Sequence, residues 1–484
     1  MQHKPILSIF LVAVIICFSS CKKLLDIPAP IDSITTEEIF ANNQQAEWAI
    51  AGMYSKMVYG IAHLDNEFTG LAFTQFASGL STIMGGLSAD ELRAPATGGY
   101  ADDLLASYNK INLKAADRAT AIWNSAYQTI FDANAVIDGI AASESTSLID
   151  SVRKQLTGEA LAIRAFCHFY LVNFFGDIPI VLTSDFKKSQ TLSRSPVSKV
   201  YDQIKTDLVN ARSMLAKDYS VSKGERTRVN SWFAEALLAR VYLYTGEYQN
   251  AITSAGNVIA QSGLYAVQTD LTQTFLANNG EAIFQLQTSE AAGLNNATPE
   301  GYVFTYRLLD AGSFLYPYRI AENLIGAFEP GDKRKLNWTK TEGPSVYPAK
   351  YSRGQPFQYY MVMRLSELHL IRAEATVLLS PAAKQQAIDD LNVLRRRAGV
   401  DELDNQLTAA QVSEAIAHER QVELFLEWGH RWFDLKRTGK AESVLSAISY
   451  KQPWLGNYQL VYPLPPFDLE NNSFLVQNPQ YESR

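Results

Sequence analysis

Residues 419–437 read ERQVELFLEWGHRWFDLKR, a stretch in which acidic and basic side chains are interspersed with large apolar ones. Arg420 lies three residues before Glu423, and Glu423 lies four before Glu427, a spacing that places them on one helical face and supports local ion pairs. We expect a partly buried ionic network that fixes helix register, rather than a catalytic centre, although acids with perturbed pKa values occur in both settings. The predicted members are Glu419, Arg420, Glu423, Glu427, Arg431 and Asp434.

The composition around this stretch is that of a large folded protein. Of the 484 residues, 47% are hydrophobic and 19% are charged, which excludes a disordered chain, a coiled coil or a collagen-like fibre. Length alone would suggest about three domains of ~150 residues each. The net charge of −7 gives no general attraction for nucleic acid or anionic lipid, so no nucleic-acid partner is expected.

Small and aromatic residues recur at the offsets of tetratricopeptide helix pairs. Ala239 and Ala251 lie twelve residues apart, and Ala375 and Ala387 repeat that offset. Small residues at such positions let two helices approach closely. We expect a mainly α fold in which about four helix pairs form a layer within one large domain, residues 37–484. The expected pairs lie near 40–60 with 120–140, 155–215, 230–260 and 362–398.

The first twenty residues have the features of a lipoprotein signal peptide. The apolar run at 6–18 spans ~20 Å as a helix, too short for a bilayer core of ~30 Å. Ser19, Ser20 and Cys21 follow it and resemble a bacterial lipoprotein cleavage site, at which the thiol of Cys21 would be acylated. An ordinary secretory peptide with an incidental cysteine is the alternative. Residues 21–36 are then expected to form a lipid-anchored tether.

Two stretches, 60–110 and 276–360, have no sustained helical period and are rich in glycine, asparagine, threonine, proline and aromatic residues. Core packing alone rarely places so many aromatic rings in loops, so an exposed apolar platform is open for the group. We therefore predict a loop-rich, aromatic ligand face in these stretches. For any one ring, packing in a satellite core beneath the loops is the alternative. The candidate ligand contacts are Arg93, Tyr100, Tyr302, Tyr306, Tyr316, Trp338 and Tyr347.

The sequence contains none of the common catalytic or metal-binding motifs. There is no HExxH, GxSxG, GxGxxG or P-loop motif, and no cluster of metal ligands. Acid pairs such as Asp90 with Glu91 could support glycoside hydrolysis, which needs carboxyl groups ~5 to 10 Å apart across a cleft. Such pairs are common by chance among 50 acidic residues. We predict no cofactor, no metal site and no enzymatic activity.

Several sequence blocks together resemble one known family. They are CKKLLDIP at 21–28, GEA at 158–160, RAF at 164–166, FGDIP at 175–179, ALLARVYL at 236–243, RLSEL at 364–368, RAEA at 372–375, the stretch at 419–437, YPLP at 462–465 and QNP at 477–479. In this order they resemble the SusD/RagB-like outer-membrane glycan-binding lipoproteins of polysaccharide-utilisation systems. The resemblance covers nearly the whole chain.

The resemblance implies a function that composition alone does not indicate. It implies a non-enzymatic lipoprotein, anchored in the outer membrane through Cys21 and exposed at the cell surface. Such a protein would capture oligosaccharide or polysaccharide and deliver it to a SusC-like TonB-dependent transporter. Two alternatives stay open: a tetratricopeptide-type scaffold that binds another protein without binding glycan, and a glycoside hydrolase.

Overall fold

The chain folds mainly into helices. The computed structural model describes residues 36–60, 75–94, 101–287, 297–305, 307–308, 314–315, 318–352 and 357–481. The predicted signal peptide, Cys21 and the tether before Thr36 lie outside these ranges. The helices are α1 Thr36–Ile39, α2 Asn43–Tyr59, α3 Ser81–Ser88, α4 Ala101–Ser107, α5 Asp117–Ala142, α6 Asp150–Phe175, α7 Phe186–Ser189, α8 Val197–Met214, α9 Ser231–Tyr244, α10 Tyr248–Ile259, α11 Pro299–Phe304, α12 Glu322–Ala327, α13 Lys333–Trp338, α14 Leu365–Leu379, α15 Lys384–Ala398, α16 Ala409–Glu423, α17 His430–Arg437, α18 Ala441–Leu445 and α19 Pro466–Asn471.

The helix pairs expected from the sequence are present. Helix α2 packs against α5, α6 against α8, α9 against α10, and α14 against α15. Successive pairs are joined by contacts of α5 with α6, α8 with α9, and α10 with α14. The alanines that predicted close helix approach, Ala239, Ala251, Ala375 and Ala387, are all fully buried. The mainly helical fold is therefore confirmed, whereas the tetratricopeptide type of the pairs stays a prediction.

Strands in the described ranges form short antiparallel pairs. The strands are β1 Leu92–Arg93, β2 Ala282–Leu286, β3 Arg307–Leu308, β4 Phe314–Leu315, β5 Arg319–Ile320, β6 Thr339–Glu342, β7 Ser345–Pro348 and β8 Tyr360–Arg364. Strand β1 pairs with β5, β2 with β8, β3 with β4, and β6 with β7. Every residue of β2 and β8 is buried, so this pair lies inside the protein beneath the helical layer.

The first stretch expected to be irregular contains a buried helix. All residues of α3 are buried, so no alternation of apolar and polar positions reveals its period in the sequence. Gly85 of α3 lies against Gly429, and a Cβ atom on Gly85 would come within 2.5 Å of the Gly429 Cα atom. Helix α3 therefore belongs to the core and not to an exposed ligand face.

The stretch at 419–437 is not one continuous helix, which corrects the sequence-based expectation. Helix α16 ends at Glu423, and Leu426, Trp428 and Gly429 adopt positive φ angles of 51°, 53° and 80° before α17 begins. The resulting reversal docks on α3, because the Trp428 amide donates a 2.8 Å hydrogen bond to Thr82 Oγ1. The Trp428 ring stacks on Tyr360 with centroids 5.0 Å apart. These tertiary contacts hold non-glycine residues in a backbone region that is normally unfavourable for them.

Candidate functional site

Two of the predicted ligand contacts belong to the core. The side chain of Trp338 is 1% exposed, and its indole N–H donates a 3.1 Å hydrogen bond to the Leu271 carbonyl. Tyr347 is 4% exposed. A sugar cannot stack on rings that are covered in this way, so the prediction that Trp338 and Tyr347 contact ligand is wrong. The alternative, packing of aromatic residues beneath the loops, describes both.

The other described candidates lie nearer the surface. The Arg93 guanidinium lies over the Tyr450 ring, 3.8 Å from its centroid, and reaches Glu322 at 3.3 Å. Tyr302 is half-buried on α11. Arg93 and Tyr302 therefore stay candidates. Tyr100, Tyr306 and Tyr316 lie outside the described residues.

The predicted ionic network is centred on Glu423, and its cations come from distant parts of the chain. The Glu423 carboxylate accepts bonds from Arg364 at 2.5 Å, Arg397 at 2.5 Å and Arg334 at 3.0 Å. Arg334 also reaches Glu419 at 2.5 Å. All five side chains are buried. Burial by itself would raise the pKa of Glu423, but the three guanidinium groups outweigh it and hold that pKa well below its usual range.

The remaining predicted members also have long-range partners. Arg420 pairs with Asp434 at 2.7 Å, and Arg431 pairs with Asp90 at 2.8 Å. Glu427 accepts bonds from two cations, Lys350 and Arg364. Asp434 also pairs locally with Arg437, but the other local pairs expected along a single helix are replaced by tertiary ones. The network fastens α16 and α17 to α13, β8, α15 and the segments that carry Asp90 and Lys350.

A neutral carboxyl group lies beside this network. Glu300 is buried on α11, and the Tyr360 hydroxyl donates a 2.6 Å hydrogen bond to its Oε1 atom. Burial raises the pKa of Glu300 from 4.5 to about 8, although bonds from Thr82 and Tyr360 oppose the shift. At neutral pH this carboxyl group is therefore protonated and carries no charge.

We expect Glu300→Gln to remove a pH dependence of stability. Between pH 4.5 and about 8 the folded state keeps a proton on Glu300 that the unfolded chain has released, so stability falls as the pH rises through this interval. The glutamine amide mimics the protonated acid at every pH. The free energy of unfolding of the variant should therefore be higher than that of wild type by roughly 2–4 kcal/mol at pH 8, and the two should be equal near pH 4.5. Urea denaturation at both pH values measures this, with the exposed Asp401→Asn as control. If the unfolding free energies of variant and wild type differ by the same amount at both pH values, the prediction is contradicted.

A large groove runs along the exposed side of α2. Its volume is about 950 Å³, and its long wall extends from Glu47 to Tyr59, about 18 Å of helix. Trp48 lies in this wall with 62% of its surface exposed. The lining residues are Glu47, Trp48, Ile50, Ala51, Tyr54, Ser55, Tyr59, Val221, Ser222, Lys223, Glu225, Thr227, Arg228, Leu286, Gln287, Phe357 and Tyr359.

The floor of the groove is fixed by an ionic cluster around Arg228. Its guanidinium donates two hydrogen bonds to Glu159 of α6, at 3.0 and 2.6 Å, and one to Glu47 of α2 at 2.5 Å. The Tyr54 hydroxyl donates a 2.9 Å bond to the same Glu159 carboxylate. Burial opposes the charge on Arg228, but Glu159 outweighs this effect, so the pKa of Arg228 is raised. The wall that carries Trp48 is therefore rigidly tied to the helix behind it.

The lining of the groove includes a second exposed aromatic ring. Phe357 is 37% exposed and meets the buried ring of Tyr359 edge to face, with centroids 5.2 Å apart. Burial and the neighbouring Glu225 raise the pKa of Tyr359 to about 12, and Gln287 also bonds its hydroxyl. Glu225 is held by Asn278, whose amide nitrogen lies 2.7 Å from a carboxylate oxygen. The groove lining thus combines two exposed rings with carboxylate and amide groups.

Sequence reasoning missed this groove, although one signal was available. Trp48 lies on α2, whose buried positions include Ala46, Ile50, Met53 and Met57. Trp48 lies two residues from Ala46 and two from Ile50, so its side chain points away from the buried face of the helix. A tryptophan on the polar side of an amphipathic helix indicates an exposed ring, as Trp48 is. Neither Arg93 nor Tyr302 lines the groove.

Comparison with known proteins gives the family. The model described as "Starch-binding associating with outer membrane" matches residues 96–243, and the model of the SusD family matches residues 260–481. The chain belongs to the SusD/RagB family. Among its curated relatives, SusD-like protein P2 of Formosa agariphila is 26% identical to it over 412 residues, which cover 74% of this chain and 80% of that one.

Solved structures of SusD proteins share the fold. A SusD superfamily protein from Bacteroides thetaiotaomicron superposes with a TM-score of 0.76 at 22% identity, covering 91% of this SusD/RagB chain and all of that one. A laminarin-binding SusD-like protein superposes with a TM-score of 0.69 at 23% identity, covering 91% of this chain and all of that one. Searched over the part of the chain that the structure describes, no helix is long and apolar enough to span a bilayer. In those same ranges, acidic residues, histidines and Cys167 nowhere form a group of three or more suited to a metal ion.

Proposed function

We propose that the protein binds oligosaccharide or polysaccharide in the groove along α2 and delivers it to a SusC-like TonB-dependent transporter. The observation that carries the proposal is the exposure of two aromatic rings, Trp48 of α2 and Phe357 from a distant part of the chain, in the lining of one large groove. The family supports a carbohydrate ligand, and a relative of the same fold binds laminarin. Display at the outer-membrane surface and a lipid anchor at Cys21 belong to the same proposal.

The chemistry of the groove suits sugars. Flat rings such as Trp48 and Phe357 cover the apolar C–H faces of a pyranose, and the carboxylates of Glu47 and Glu225 accept hydrogen bonds from its hydroxyls. Gln287 offers both an amide donor and an acceptor. An open groove buries only part of a glycan, so we expect affinities of the order of micromolar to millimolar. Such modest affinity suits a protein that releases its cargo to a transporter.

We further propose that binding is not followed by hydrolysis. Asp90 and Glu91, the acid pair considered from the sequence, are both buried, and Arg431 holds the Asp90 carboxylate with bonds of 2.8 and 2.9 Å. Neither lines the groove. Incubation of the protein with any glycan that it binds should therefore produce no new reducing ends.

Trp48→Ala is expected to weaken glycan binding about 10- to 100-fold, because loss of a stacking tryptophan removes roughly 1.5–3 kcal/mol of apolar contact. Affinity electrophoresis against a panel of polysaccharides measures the change as a loss of retardation. Phe467→Ala is the matched control, because it removes an equally exposed ring that does not line the groove.

Retardation of the Trp48→Ala variant equal to that of wild type would contradict the groove as the binding site. Wild type that migrates freely through every polysaccharide would contradict glycan binding itself. In that case, recovery of a soluble protein partner from solubilised outer membrane, with no large barrel, would favour the scaffold alternative.

A further inference from the structure

The groove lining has a charge arrangement that bears on which glycans it accepts. Resting on the proposed function, we infer that the groove selects uncharged glycans and disfavours those that carry carboxylate or sulfate groups. The inference depends on how the charged side chains of the lining are already used. Among the residues that the structure describes, these are Glu47, Lys223, Glu225 and Arg228.

The guanidinium of Arg228 is already bonded to protein carboxylates. Its Nε and Nη2 atoms bond both oxygens of Glu159, and its Nη1 atom bonds Glu47. The side chain is 16% exposed, so most of it lies beneath the groove surface. A planar guanidinium binds a carboxylate or sulfate best through a free pair of N–H groups. Because Glu159 occupies the Nε–Nη2 pair and Glu47 bonds Nη1, an anionic glycan would have to compete with a protein carboxylate for either edge of the guanidinium.

The carboxylates of the lining come from two separate parts of the chain. Glu47 lies on α2 and is partly exposed, while Glu225 lines the same groove and bonds Tyr359, which Gln287 also bonds. A cleft with low-dielectric walls concentrates the field of such charges. Lys223 is exposed, so solvent and salt screen its ammonium group. An anionic glycan in the groove would therefore meet the carboxylates of Glu47 and Glu225, whereas the Arg228 cation is already bonded to Glu47 and Glu159 and the Lys223 cation is screened.

Uncharged glycans can bond the same carboxylates without electrostatic repulsion. Hydroxyl groups donate hydrogen bonds to carboxylates, and such charge-assisted bonds are stronger than neutral ones. A uronate or sulfate oxygen has no proton to donate to Glu47 or Glu225. The same two residues thus favour neutral sugars and oppose acidic ones.

The test uses matched polymers that differ only in charge. A neutral polysaccharide that retards wild type is oxidised at its primary hydroxyls to uronate, and both forms are compared at low and high salt. We expect at least tenfold weaker binding of the oxidised form at low salt, with a smaller difference at high salt. We expect the variant Glu225→Gln and the double variant Glu47→Gln, Glu225→Gln to reduce the difference in affinity between the neutral and the oxidised polymer at least threefold. Thermal melts confirm that both variants fold.

The outcomes separate this inference from the proposed function. Equal or tighter binding of the oxidised form by wild type would overturn the inference while leaving glycan binding intact. A difference that both folded variants leave unchanged would overturn it as well, because the carboxylates would then not be its cause. If wild type binds no polymer of either kind, the proposed function fails and the inference fails with it.

Discussion

Glu423→Ala is expected to destabilise the folded protein by about 3–5 kcal/mol or more, because it leaves buried guanidinium groups without their shared carboxylate. Arg334, Arg364 and Arg397 all bond Glu423 within 3.0 Å, and none of them is exposed to solvent. A stability of 5–15 kcal/mol is usual for folded proteins, so the loss is a large fraction of the total. Through these three arginines, Glu423 is bonded to α13, β8 and α15.

Chemical denaturation of wild type, Glu423→Ala and Glu423→Gln measures this effect. The glutamine variant keeps a hydrogen-bond acceptor but not the charge, so its loss should be intermediate. Glu402→Ala is the control, since the Glu402–Arg396 pair is solvent-exposed and should contribute less than about 1 kcal/mol. A loss for Glu423→Ala as small as that of the control would show that the network does not hold α16 in place.

Lys451→Met is expected to cost about 3–5 kcal/mol, because it leaves several buried oxygens without a donor at roughly 1–3 kcal/mol each. The Lys451 ammonium is fully buried and donates to the carbonyls of Leu87, Ser88 and Ser107 at 3.0, 3.2 and 2.8 Å. Asn109 Oδ1 lies 2.6 Å from the same nitrogen, so four oxygens share its three N–H donors. These bonds tie the end of α3 and the end of α4 to the C-terminal segment.

Thermal and urea denaturation of Lys451→Met, beside the exposed Lys199→Met as control, checks this prediction. Limited proteolysis adds a local readout, and cleavage should increase between α3 and α5 before the rest of the chain unfolds. Unchanged stability would show that water satisfies the vacated oxygens equally well.

The sequence was most informative about the helix pairs and the presence of buried ions. Ala239 with Ala251 and Ala375 with Ala387 predicted close helix contacts, because such spacing is a local property of the chain. The partners of Glu423 could not be predicted, because Arg334, Arg364 and Arg397 lie far from it in sequence and meet it only after folding. Local spacing therefore indicated the presence of the network and not its connections.

The candidate ligand contacts were the least predictable part. Trp338 and Trp48 are the same residue type, yet the first is buried against Leu271 and Phe275 and the second is exposed in the groove. Aromatic richness of a stretch does not distinguish these cases, since core and ligand face both use large rings. Helical phase distinguishes them only where the helix is regular, as it is around Trp48.

The most direct test of glycan capture in the α2 groove is a crystal structure of the protein soaked with an uncharged oligosaccharide that retards it in gels. The account predicts ordered sugar rings against Trp48 and Phe357, with hydroxyls bonded to Glu47 or Glu225. An ordered oligosaccharide elsewhere, for example beside Arg93 and Tyr302, with the groove empty, would contradict it.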